Sequence, residues 1–100
     1  MVVKHDAVAV VRAAAQQVGC PIAHMARSDK KSANLNRARK LAAWVLTSDY
    51  GLTQDETARA LGRSRAAVAI LLRTLRDTMR DKPKIARQYE AMRSKILEDV

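Results

Sequence analysis

Residues 52–68, LTQDETARALGRSRAAV, constrain the fold of this chain more than any other stretch. Thr53 and Glu56 stand at capping-box spacing, where the hydroxyl accepts from a free helical amide and the carboxylate reaches back to the first one. That predicts a short helix running to Leu61. Three further positions meet the sterics of two helices joined by a tight turn. Ala58 is small where the helices approach, Gly62 sits where positive φ is required, and Val68 is an apolar anchor for the second helix. Their offsets are four and then six residues, with Leu61 and Leu71 able to bury behind the turn. Ser64 then opens a long helix carrying Val68, Leu71, Leu72, Leu75 and Met79, which ends before Pro83.

The rest of the chain has the same character. Over residues 5–18, Val8, Val11, Ala15 and Val18 recur at helical spacing and Gly19 supplies an exit. Pro21 suits the first turn of a short helix over residues 21–26, and residues 28–32, SDKKS, read as an exposed basic loop. Asn34 is placed to cap a helix over residues 34–48, with Leu35, Ala38, Leu41, Ala42, Val45 and Leu46 on one face and Trp44 packing beside them. A last helix over residues 84–97 turns Ile85, Tyr89, Met92 and Ile96 inward. There is no strand-like alternation, repeat or long linker. With 48% hydrophobic residues but only 3% aromatic and no Phe, the core must be built from Ala, Leu, Val, Ile and Met. The expected fold is all-α: about six helices around a central helix-turn-helix, in one domain spanning residues 1–100.

Charge then narrows the function. The chain has 19 Lys and Arg against 10 Asp and Glu, a net charge of +9, so its field draws polyanions. Residues 58–76 hold Arg59, Arg63, Arg65, Arg73 and Arg76 and no acid. A solvated helix face normally mixes signs, so this run points to an external polyanion, double-stranded DNA first. At the start of the second helix, Arg63, Ser64, Arg65, Ala66 and Ala69 can face a major groove. There an Arg pairs with guanine, Ala touches a thymine methyl, and Ser meets base or phosphate; alternatively, Arg63 and Arg65 only neutralise phosphates. Lys30, Lys31, Arg59 and Arg73 are expected to grip the backbone.

Catalysis is not expected, because the only histidines are His5 and His24 and the acids are scattered. Neither His5 with Asp6 nor His24 with Cys20 makes a sufficient metal set, and no cofactor or small-molecule substrate is implied. Cys20 is the only cysteine, which excludes an intrachain disulfide and fits a reducing compartment. Lys4, His5, Asp6 and Arg12 interrupt the N-terminal region and no apolar run approaches membrane-spanning length, so a cytoplasmic location is expected.

Several of these stretches together resemble the C-terminal DNA-binding domain of the bacterial chromosomal replication initiator DnaA, a Trp-repressor-like helical domain. The resemblance covers residues 10–97. It is carried by residues 11–18, by Ser28-Asp29-Lys30-Lys31-Ser32, by Arg37-Ala38-Arg39-Lys40, and by Gly62-Arg63-Ser64-Arg65-Ala66-Ala67-Val68. It implies that Lys30 and Lys31 touch the DNA backbone, that Arg37 and Arg39 reach the minor groove or nearby phosphates, and that Arg63, Ser64, Arg65, Ala66 and Ala67 enter the major groove. Where the family has Asp-His-Thr-Thr, this chain has Ser64-Arg65-Ala66-Ala67, so recognition of the initiator's own box is not expected to survive. The family's ATPase domain and phosphate-binding loop are not in this sequence. The resemblance therefore implies a stand-alone regulator of transcription or replication, in the bacterial nucleoid or a phage-infected cell, acting as a homodimer or with a partner protein. The competing class is a protein-interaction module on the same scaffold, dimerising through Ile85, Tyr89, Met92 and Ile96. RNA is disfavoured by the lack of aromatic stacking residues, and a membrane by the way the basic residues flank the turn.

Overall fold

Small side chains let the first two long helices lie close together. Ala14 and Ala15 on α1 (Lys4–Val18) and Ala38, Ala42 and Ala43 on α2 (Ala33–Ser48) are all buried. The structure, a computed structural model, describes residues 4–27 and 29–100, with side chains from Ala7 onward. Among the described residues all regular structure is helical. After α1 come a short 3-10 turn (Ile22–His24), α2, α3 (Gln54–Leu61), α4 (Arg65–Asp81) and α5 (Pro83–Asp99). The fold is all-α. No helix among the described residues is long and apolar enough to cross a membrane.

α2 is the axis of the molecule, since it packs against each of the other α-helices. Its expected stripe of Leu35, Ala38, Leu41, Ala42, Val45 and Leu46 is buried throughout. Val68 and Leu75 of α4 and Tyr89 and Ile96 of α5 complete the same core, with Leu71, Leu72, Met79, Ile85 and Met92 packed at its edge. Arg93 fastens α5 to the end of α2: its Nε donates to Asp49 Oδ2 at 2.7 Å, and its guanidinium lies 5.3 Å over the Trp44 ring.

Four expectations need correction. On α1 the buried side is Ala7, Val10, Val11, Ala13, Ala14 and Ala15, and Val8 is exposed, because the inward stripe is wide enough to shift by one residue among so many small side chains. The helix expected over residues 21–26 is only the 3-10 turn Ile22–His24. The Arg39 guanidinium donates to the carbonyls of His24, Met25 and Arg27, and the backbone bonds that remain there are turn-like, from the Arg27 amide to His24 O at 3.1 Å and from the Lys30 amide to Arg27 O at 3.4 Å. The cap of α2 is Ser32, not Asn34: Ser32 has extended backbone and its Oγ accepts from the Leu35 amide at 3.0 Å. α5 begins one residue early, with Pro83 in its first turn, where a missing N–H costs nothing. The side chains of His5 and Asp6, and Ser28 of the basic loop, lie outside the described residues.

Candidate nucleic-acid interface

The corner between α3 and α4 is built by local hydrogen bonds that the sequence spells out. The Thr53 hydroxyl accepts from the Glu56 amide at 3.1 Å while the Thr53 amide donates to Glu56 Oε1 at 2.9 Å, the reciprocal capping box. α3 ends at Gly62, whose φ of 66° lets the Arg63 amide donate back to the Ala58 carbonyl at 3.0 Å. Ser64 then caps α4, its Oγ accepting from the Ala67 amide at 3.1 Å.

Gly62 is required for a second reason. A Cβ at that position would stand 2.6 Å from the Cβ of Ala26, so the corner is pressed directly onto the segment leading into the basic loop. Arg39 holds that segment in place. Its side chain is 2% exposed, with Nε donating to Met25 O at 2.9 Å and Nη2 to His24 O at 3.0 Å and Arg27 O at 2.7 Å. Burial first, and then the nearby Arg63 charge, push the Arg39 pKa down, which marks the two guanidinium groups as neighbours. Arg63 is half-buried and its Nε is enclosed without a hydrogen-bond partner among the described residues.

These contacts divide the expected site residues. Arg59, Ser64, Arg65, Ala66 and Arg73 are exposed; Ala67 and Arg63 are half-buried. Along α4, Ala66, Ala69, Ile70, Arg73 and Thr74 form one exposed strip opposite the buried Val68 and Leu75. Arg65 stands at the edge of this strip, and among the described residues its acidic partner is Asp55, whose carboxylate lies 3.7 Å from the guanidinium with both side chains well exposed. Lys31 is exposed and Lys30 half-exposed, in the loop that Ala26 ties to the corner.

Arg39 does not belong to that surface. Its guanidinium is turned inward onto three carbonyls, so the groove or phosphate contact implied by the resemblance is replaced by a structural role. Arg37 is exposed but lies two residues away on α2, about 200° around the helix. It faces the Tyr89 hydroxyl of α5, on the opposite side from Arg39 and the corner. The pair therefore does not act as one contact.

Ile70 is the residue that the reading from sequence missed. The signal was present: Val68, Leu71, Leu72 and Leu75 define the inward face of α4, and Ile70 falls on the far side. Cys20 is half-buried against the core, which raises its thiol pKa, in keeping with a small packing residue. Comparison with known protein families, curated proteins and solved structures finds no match to this chain.

Proposed function

We propose that this protein binds double-stranded DNA through the helix-turn-helix formed by α3, its turn and α4. The leading half of α4 enters the major groove. Arg59 and Arg73 flank it on phosphates, and the loop holding Lys30 and Lys31 reaches the backbone beside it. The observation that carries this reading is the exposed strip of α4 from Arg65 to Arg73, which presents cations and small or apolar side chains and no acid. An Arg at its start can fork onto a guanine, and the terminal amides of the helix favour a phosphate beside it. The resemblance to the DnaA C-terminal domain supports the same docking in a Trp-repressor-like fold, with a different target sequence. The role is regulatory and not enzymatic, in the bacterial nucleoid.

The test is a fluorescence anisotropy titration against a labelled random duplex at two salt concentrations. Contacts to about five phosphates weaken binding by roughly two to three orders of magnitude between about 50 and 200 mM salt. Absence of binding, or binding that salt leaves unchanged, overturns the proposal.

A further inference from the structure

The exposed strip of α4 is unusual in what it lacks. Asn and Gln read adenine edges, and Asp and Glu read cytosine, yet the outward positions between Arg65 and Arg73 are Ala66, Ala69 and Ile70. Ile70 is 54% exposed, more than any other large apolar side chain among the described residues. A lone exposed isoleucine is ordinary on a protein surface. This one is not isolated, because steps of four and three residues align Ala66, Ile70 and Arg73 on one side of the helix with Ala69 beside them. From Ala66 to Arg73 the strip is about 10 Å long, roughly three base-pair steps.

Resting on the reading above, we infer that this strip reads thymine methyl groups, with Ile70 the residue that sets the preference. The C5 methyl of thymine is the apolar group that a base edge displays in the major groove. An apolar strip bounded by Arg65 and Arg73 is complementary to such a methyl lying between two phosphate rows. Arg73 holds the backbone, and the Ile70 side chain covers the methyl and removes both from water. Each methyl so covered strengthens binding about fourfold. The same chemistry selects DNA over duplex RNA, whose major groove is too narrow to admit the helix and whose uracil has no methyl.

The experiment uses the full chain and the duplex it prefers from a random pool, compared with the same duplex in which deoxyuridine replaces thymidine, first throughout and then one position at a time. Wild type loses about fourfold at the one or two positions under Ile70. Ile70→Ala binds the thymidine duplex more weakly and no longer distinguishes the two bases at those positions, while Ile70→Val recovers part of the discrimination. Circular dichroism should be unchanged in both variants, since the side chain is outside the core. Steeply salt-dependent binding that is indifferent to deoxyuridine, or discrimination that survives in Ile70→Ala, overturns this inference and leaves DNA binding standing. Absence of duplex binding by wild type overturns both. Self-association of wild type that Ile70→Ala abolishes, without a change in base preference, assigns the strip to a second copy of the chain and also overturns the inference.

Discussion

α4 carries arginines along its whole length, but its two halves treat them differently. In the second half, Arg76 lies 3.9 Å from Asp77, and Arg80 meets Asp77 at 3.6 Å and Asp81 at 3.0 Å. In the first half, Arg73 has no ion pair among the described residues, and Arg65 has a single acid, Asp55, at 3.7 Å. Exposed ion pairs of this kind contribute little to stability. Their effect here is on the field, and it is clearest at the extremes: the charge of Arg80 is cancelled within the protein by two acids, while that of Arg73 remains for an outside partner. Exposed charge and available charge are thus different quantities, and the position of nearby acids separates them.

The contrast collapses most completely if the corner that aims the first half gives way. Arg39→Met would leave the buried Met25 carbonyl without a donor among the described residues, while the His24 and Arg27 carbonyls would keep only the backbone amides of Arg27 and Lys30. The expected cost is about 3 kcal/mol in urea denaturation, with DNA affinity falling as the loop detaches from Gly62. Unchanged stability with lost binding would instead return Arg39 to the DNA contact implied by the resemblance. A smaller effect, on binding alone, comes from giving the first half an acid of its own. Glu at position 69 stands four residues before Arg73, so Ala69→Glu neutralises that arginine and sets a carboxylate against the phosphates. Affinity in the anisotropy titration should fall by a factor of ten to a hundred, about 1.4–2.8 kcal/mol, with helicity retained.

The parts of this surface that were legible in sequence are those fixed by local chemistry. Thr53 with Glu56, Gly62 and Ser64 act through their own backbone neighbours, so residue type and spacing determined their roles. Arg39 was not legible, because its partners are carbonyls 12 to 15 residues away in a segment with no periodicity of its own. A charged residue in a basic stretch reads as solvent-facing until the fold shows what it covers. Asn34 and Ser32 are both capping residue types, and only the extended backbone at Ser32 shows which of them caps α2. Ile70 escaped because an apolar residue in a helix rich in apolar residues is assumed to help build the core.

A more modest test compares one arginine from each half. Arg73→Ala removes a cation available to a phosphate, and the slope of log affinity against log salt should become shallower by about one. Arg80 is held by Asp77 and Asp81, which hydrogen bonding and charge together reflect in its raised pKa. Arg80→Ala should leave the slope nearly unchanged. Equal changes in both variants would mean that DNA displaces the acids and that the two halves of α4 act alike.

The smallest expected effect concerns how the two helices of the corner begin. α3 has Asp55 and Glu56 in its first turn, and α4 has no acid there. Glu56 is engaged by the Thr53 backbone amide, and that hydrogen bond lowers its carboxyl pKa. Since the folded value lies below the unfolded one, near 4.3, the stabilisation is full above that pH and is lost as pH falls through the depressed value. α4, capped by the Ser64 hydroxyl, has no such dependence. Glu56→Gln keeps a side chain able to reach the Thr53 amide but cannot titrate. Urea midpoints measured at pH 7 and pH 3 should therefore fall further for wild type than for the variant, by a small margin. If both fall equally, the carboxylate contributes nothing to the start of α3 beyond what a neutral amide supplies, and the two helix starts differ in geometry alone.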